Sequence, residues 1–270
     1  VADLLTSAQV AKLLGVTPMT VVRWTNAGRL RCEFTAGRHR RYRHADLEAF
    51  RRDAGLTTEA EGWVSLLRHP VAPSVVESKL LAEHARQGSW ERVADALGEV
   101  LIEIGTLWCN GQLSVFEEHV ASAQLARALN RLCEWFPRHS GAPRALLATP
   151  ENEFHTLGLS LAELCLRAQA WETTWAGRSV PTAELVREVR KGGLRLLVLS
   201  ASLAAVNARQ LAKDVKSLER ACEAAGTVLV LGGRGAWPKK CRTALRQDSF
   251  LELAGALPRL NERRAVTSKP

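Results

Sequence analysis

Apolar residues fall along this chain in three rhythms. Over the first fifty residues they come in short bursts: "SAQVAKLLG" places Val10, Leu13 and Leu14 at helical spacing, and "TPMTVVRWTNAG" supplies Val21, Val22 and Trp24. Ser7 is expected to cap the first helix, and Gly15 to end it, because glycine accepts the positive φ of a helix end. Thr17 and Pro18 open the second helix as N-cap and first helical residue, and Gly28 closes it. Two short helices across a tight turn predict a helix-turn-helix. "CEFTAGRHRRYR" then reads as a hairpin turning at Ala36–Gly37, and "HADLEAFRR" as helix again.

From Ser74 to Phe136 the rhythm is helical and sustained. "SVVESKLLAEHARQGS" breaks at Gly88, Ser89 caps a helix carrying Val93, Leu97, Val100, Leu101 and Ile104, and a third helix ends before Pro137. With part of residues 61–69 this makes a small four-helix bundle. After residue 143 short apolar strands alternate with helices: "RALLAT", "WETTWAG", "LRLLVLSAS" and "TVLVLGGRG" are the strands, and a later helix and a strand near "SFLELAG" complete the pattern. Such alternation predicts a flavodoxin-like, doubly wound parallel sheet. The fold class expected is therefore multidomain α and α/β: a winged-helix head over 1–55, a linker over 56–73, a helical bundle over 74–142 and a Rossmann-like domain over 143–270.

Composition narrows the partners. Net charge is +9, and residues 1–55 hold ten Lys/Arg against five Asp/Glu, so more than half of the excess sits in the first fifth of the chain. A concentrated positive charge points to a polyanion. The six cysteines (32, 109, 133, 165, 222 and 241) include no CxxC pair, which argues against a disulfide framework or zinc site and fits a reducing bacterial cytoplasm. No signal peptide opens the chain and no apolar run approaches the ~20 residues of a membrane span, so no membrane partner is expected.

The head resembles the winged-helix head of the MerR/excisionase group over residues 5–52. That resemblance implies a double-stranded DNA operator as partner, with the second helix in the major groove and the wing on phosphates. By position, Thr20 and Arg23 face outward on the second helix, and Arg38, His39, Arg40 and Tyr42 are wing candidates, while Trp24 is assigned to the core.

Two further places carry candidate chemistry. In "LWCNGQLSVFEEH", Asn110–Gly111 stops one helix and Ser114-x-x-Glu117 is a capping box that starts the next. Trp108 and Cys109 thus end one helix, and Val115, Glu118 and His119 begin another around the same corner. Alone, these read as a core filler and a surface pair. In the last domain, ligands bind outside the carboxyl ends of the strands at a switch point. There stand Glu153-x-His155-x-x-Gly158, Ser200 and Ser202, and Gly232–Gly233. Each is an ordinary loop by itself; together they describe one hollow with one projecting imidazole.

This set resembles the cobalamin-binding domain family, in which D-x-H-x-x-G is the more usual motif. The resemblance implies His155 as lower axial ligand of the cobalt within the corrin, Glu153 as its orienting carboxylate, Gly158 as passage for the nucleotide tail, and Ser200, Ser202, Gly232 and Gly233 as lining of its slot. Trp108, nine residues, then Glu118-His119 resembles the signature of the CarH family of cobalamin-dependent photoreceptors. That likeness implies a repressor, not an enzyme and with no catalytic residues. Adenosylcobalamin, with methylcobalamin as alternative, would hold it as a DNA-bound tetramer in the dark, and light would release it. Trp108 and Val115 would pack by the adenosyl group, with Glu118 and His119 holding polar groups. Cys109 stands where that family commonly has a histidine able to bind cobalt after photolysis, so it is a candidate upper ligand after light. Two alternatives stay open: a light-independent cobalamin- or redox-sensing regulator, and a corrinoid methyl carrier.

Overall fold

A computed structural model of the chain describes residues 4–14, 16–53, 59–203 and 207–262. It divides into two units, Val1–Gly62 and Trp63–Pro270.

In the first unit, helix α1 (Ser7–Leu13) is capped by Thr6 rather than by the expected Ser7. Thr6 Oγ1 accepts from Gln9 N at 3.3 Å, and Gln9 Oε1 accepts in return from Thr6 N at 2.8 Å, a reciprocal box that Ser7 has no glutamine to complete. Gly15, the expected stop, lies outside the described residues. Helix α2 (Pro18–Asn26) starts as the sequence predicts, with Thr17 accepting from Thr20 N and proline in the first turn. Strands β1 (Glu33–Phe34) and β2 (Arg40–Arg41) pair antiparallel to form the wing, and α3 (His44–Asp53) follows. Val10, Val21, Leu30, Leu47 and Phe50 form the core, with Trp24 half-buried against Phe50 at 5.0 Å between ring centroids.

Tyr42 belongs to that core and not to the wing surface. Its backbone exchanges two 2.9 Å hydrogen bonds with Leu5, which draws the ring in against α1 and α2 until it is fully buried. The phenol lies 3.0 Å from Thr25 Oγ1 and 3.3 Å from Ser7 Oγ.

Helix α4 (Glu59–Leu67) occupies half of the stretch expected to be linker, and buries Trp63, Val64 and Leu67. Residues 68–72 then lead into α5 (Pro73–Gln87), α6 (Trp90–Cys109) and α7 (Val115–Trp135). Gly88 ends α5 at φ 80°, and Ser89 and Ser114 cap α6 and α7, as expected. Residues 67–71 are bonded to α7. Gln124 Oε1 accepts from Val71 N at 2.6 Å while its Nε2 donates to the carbonyls of Leu67 and His69. Arg68 donates to Glu117 at 2.6 and 2.9 Å. Glu117 also completes the capping box with Ser114. Its carboxyl is held down to about 2, first by the Ser114 backbone N–H and then by Arg68 and the Ser114 hydroxyl.

The sheet has the order β4-β3-β5-β6-β7, all parallel, from β3 (Arg144–Pro150), β4 (Glu172–Val180), β5 (Leu196–Ser200), β6 (Val228–Gly232) and the short β7 (Leu245–Arg246). Side chains alternate between its faces. Leu146, Leu197 and Leu199 pack against α9 (Thr182–Arg190) and α10 (Ala208–Ala225). Ala145, Leu147, Leu196 and Val198 pack against α8 (Leu157–Ala168) and α11 (Phe250–Glu262). The segment "SFLELAG", expected as a strand, is the start of α11. Phe250, Leu253, Leu257 and Leu260 share one helical face, and Asp95 of α6 accepts from Phe250 N at 2.7 Å. The expected later helix is absent between β6 and β7 among the described residues. Helices α6 and α7 pack on α8, so the bundle meets the sheet through the helix that follows β3.

Tyr42→Phe keeps the ring buried but leaves Ser7 and Thr25 without their shared partner. The variant is expected to lower the stability of the first unit by ~1 kcal/mol, measured by chemical unfolding of the full chain. An unchanged transition would place the phenol outside the core network.

Candidate functional site

The carboxyl ends of β3, β5 and β6 lie side by side: Ala148 is in register with Leu199, and Ser200 with Gly232. The loops that leave them therefore meet at one edge, with the switch in strand order falling between β3 and β5. The β3 loop is braced from β4. Ser179 N donates to Thr149 Oγ1 at 2.8 Å and to Glu153 O at 3.0 Å, Thr149 Oγ1 donates to Glu153 O at 2.6 Å, and Ser179 Oγ accepts from Asn152 N at 3.0 Å. Asn152 and Ser179 both sit at positive φ (67° and 52°), strain that these bonds hold in place.

The brace turns Glu153 inward, where it is fully buried. Its carboxylate has four donors. Oε1 takes His155 N at 2.8 Å and lies 2.7 Å from His155 Nδ1; Oε2 takes Ser202 N at 2.6 Å and Ser202 Oγ at 2.8 Å. Burial pushes this carboxyl up, but the hydrogen bonds from His155 and Ser202 outweigh it, and the net shift is downward. An ionised carboxylate on Nδ1 favours the Nδ1–H tautomer and leaves the Nε2 lone pair free. The imidazole is 66% exposed, so that nitrogen is presented outward.

Around Ser200 the walls are backbone. A Cβ on Gly158 would lie 2.8 Å from Ser200 Oγ, and one on Gly233 would lie 3.1 Å from Ser200 Oγ and 2.4 Å from Ala201 O. Gly233 is also at φ 75°. Glu153, His155, Gly158, Ser200, Ser202, Gly232 and Gly233 thus come together as the sequence anticipates. Ser202, expected in the slot, instead clamps Glu153.

Three features escaped the sequence reading. Phe154 and Leu203 flank the His155–Ser202 junction with exposed apolar side chains. Gly235 packs so tightly on Ala201 that a Cβ would meet Ala201 Cβ at 2.5 Å. Trp237 donates through Nε1 to Gly232 O at 2.8 Å, fixing the loop after β6. A lone tryptophan in a glycine-rich turn was the signal available.

The α6–α7 corner is a second, more open cluster. Trp108, Cys109, Val115 and His119 are exposed. Glu118 accepts from Ser122 Oγ at 2.6 Å and lies 3.6 Å from His119 Nε2. His119 and the exposed Phe116 border a groove of about 330 Å³ between α7 and residues 70–73. In the head, Arg23, Arg38 and His39 are exposed, with Arg38 at φ 59° on the wing turn. Thr20 is half-buried, its hydroxyl 3.0 Å from that of Thr17. Arg40 is partly withdrawn, donating to Asn26 at 2.9 Å and lying over the Phe34 ring at 5.5 Å. Arg29 and Arg31 are exposed cations that the sequence reading passed over.

The helix-turn-helix domain family matches residues 4–54, and the B12 binding domain family matches residues 78–132, which is most of α5–α7. The chain is thus similar to the helix-turn-helix domain family over its head and to the B12 binding domain family over its helical bundle. It is 28% identical over 200 residues to the HTH-type transcriptional repressor CarA of Myxococcus xanthus, covering 65% of this chain and 69% of that protein. It is 33% identical over 95 residues to the HTH-type transcriptional repressor CarH of the same organism, covering 35% of this chain and 31% of that protein. A Methanosarcina barkeri monomethylamine corrinoid protein shares the fold at 18% identity and a TM-score of 0.51, covering 66% of this chain and 88% of that one.

The residues fit a corrinoid. Among the described residues no three His, Cys, Asp or Glu side chains gather to hold a metal ion. A lone outward imidazole is thus suited to a metal that arrives with its other ligands. The exposed apolar side chains of Phe154 and Leu203 beside that imidazole suit the face of a flat ring, and Gly158 and Gly233 let backbone pack closely on Ser200. No helix among the described residues is long and apolar enough to cross a membrane.

Gly233→Ala must move Ala201 or abandon positive φ, and is expected to destabilise the second unit by roughly 2–3 kcal/mol. Gly98→Ala on α6, where a Cβ meets nothing within 4 Å, should instead be neutral or stabilising. Thermal unfolding of both variants compares them; equal melting temperatures would contradict the tight packing at Gly233.

Proposed function

We propose that this chain is a cobalamin-dependent, light-responsive transcriptional repressor. It binds its operator as a tetramer loaded with adenosylcobalamin in the dark and leaves it after illumination. One observation carries the reading: an imidazole whose Nδ1 is fixed by a buried carboxylate, its other nitrogen turned outward at the sheet's ligand edge, in a chain that begins with a helix-turn-helix head. The repressor relatives support the regulatory role over an enzymatic one.

Adenosylcobalamin, when bound, supplies a cobalt–carbon bond that light breaks. The chain's own residues do the rest. His155 would hold the cobalt through Nε2, and the Glu153 carboxylate, 2.7 Å from Nδ1, would orient the ring. Gly158, Ser200, Gly232 and Gly233 would line the slot for the nucleotide arm. Trp108 and Val115 present exposed apolar surface for the upper face, and Glu118 and His119 offer polar groups beside it. Arg23, Arg38 and His39 are placed for DNA, with Thr20 and Arg40 nearer the protein surface. Ligand loading favours one of two assemblies, and loss of the upper group removes that bias.

Size-exclusion chromatography and gel shifts, run with adenosylcobalamin before and after green light, are expected to show a DNA-binding oligomer in the dark and a smaller, released species afterwards. DNA binding that ignores light but requires cobalamin would replace this with the cobalamin-sensing reading; binding that follows thiol oxidant alone would favour redox sensing. Cys109 is exposed at the end of α6, and its thiolate is a soft ligand suited to cobalt. Cys109→Ala should therefore alter the absorption spectrum recorded after light and leave the dark spectrum unchanged. Identical spectra in both states would reject ligation by Cys109.

A further inference from the structure

The loop that joins β6 to β7, "RGAWPKKCRTALR" (residues 234–246), carries five cations and no acid. Arg242 pairs with Glu223, and Arg246 with Asp248 at 2.9 Å. Lys239 and Lys240 are exposed. Gly235, Trp237, Lys239, Cys241, Ala244 and Arg246 border a hollow of about 300 Å³. Its wall is stiff: Trp237 is pinned to Gly232 O, and Glu219 accepts from the backbone N–H groups of Thr243 and Ala244 at 2.7 and 2.9 Å.

The hollow adjoins the loop that carries Gly232 and Gly233. Arg246 Nη2 donates to Gly233 O at 2.6 Å, and Gly233 is the residue whose added Cβ would meet Ser200. The lining expected for the slot (Gly158, Ser200, Gly232 and Gly233) carries no charge; Glu153 is turned to His155 and Ser202, Glu219 to the backbone of Thr243 and Ala244, and Asp248 to Arg246. An arm reaching this edge with a negative charge would find its counter-charge in Lys239 and, shared with Asp248, in Arg246.

We propose that the β6–β7 hollow is a phosphodiester site, and that it takes the phosphate of the cobalamin nucleotide arm. The assignment rests on the cobalamin reading above. It divides binding energy between two ends of the ligand: the imidazole holds the metal, and the basic loop holds the phosphate. A charge-assisted contact is stronger than a neutral one and is screened by salt when exposed.

The test uses the full chain under dim red light with two ligands, adenosylcobalamin and adenosylcobinamide, which has the same corrin and cobalt without the nucleotide arm. Lys239→Ala is expected to weaken adenosylcobalamin about three- to tenfold and leave adenosylcobinamide unchanged. Lys239→Arg should restore affinity. Millimolar inorganic phosphate should compete with adenosylcobalamin and not with adenosylcobinamide. Arg246→Met should act in the same direction, and Lys239 remains the decisive position because Arg246 also braces Gly233. Equal losses for both ligands, or no loss for adenosylcobalamin, would overturn the phosphodiester site while leaving the cobalamin reading intact. Phosphate binding that depends on Lys239 without any effect on adenosylcobalamin would mark a free-phosphate site and overturn the assignment to the arm. A native chain that binds neither corrinoid would overturn the cobalamin reading together with this site.

Discussion

The buried carboxylate of Glu153 is the constraint on which the rest of the ligand edge depends. Removing a charge from water is costly unless hydrogen bonds replace the lost hydration. Here four donors do so, two from His155 and two from Ser202. They come from the loops after β3 and β5, so satisfying one side chain fixes two loops at once. The same bonds decide the imidazole tautomer and which nitrogen faces outward. The positive φ angles at Asn152 and Ser179 follow from the need to turn Glu153 in beneath the loop, and the Thr149 and Ser179 hydrogen bonds offset their strain.

The glutamate itself has a consequence. The motif it resembles more often has aspartate, one methylene shorter. The longer side chain lets one oxygen stay on His155 while the other reaches the Ser202 backbone and hydroxyl across the switch point. Ser202 then becomes part of the histidine's support. Gly158 and Gly233 pack so closely on Ser200 that a Cβ on either would meet its hydroxyl.

Local signals in the sequence carried far, and long-range ones did not. Thr17, Ser89 and Ser114 as caps, Gly88 as a stop and the alternating apolar residues of β3 and β5 are decided within a few residues, and each was legible. Tyr42 was not, because its place is set by Leu5, Ser7 and Thr25, between 17 and 37 residues away. The start of α11 was misread because a short apolar run does not distinguish strand from helix; Asp95, 155 residues earlier, caps it. The Glu153–His155 pair was legible as a motif, but the clamp by Ser202 needed the register of β3 with β5. Part of helix α4 was expected in the bundle from residues 61–69, although the glycine and proline breaks of the same stretch suggested a linker.

The end of α4 and the residues after it are bonded to α7. Glu117 lies between Val115 and Glu118–His119 in the first turns of α7, and it is also bonded to Arg68. Two turns on, Gln124 binds both carbonyl and N–H groups of residues 67–71, which directly follow α4. Residues at the candidate upper face and residues leading from the head are therefore fastened to the same half of one helix. A rearrangement of α7 must carry residues 67–71 with it or break these bonds. The Arg68–Glu117 pair is partly exposed and contributes little by itself. The three Gln124 hydrogen bonds satisfy backbone groups of Leu67, His69 and Val71, and breaking them leaves those groups to water. A segment held this way is not a free tether: it moves with the first half of α7 as long as these bonds last.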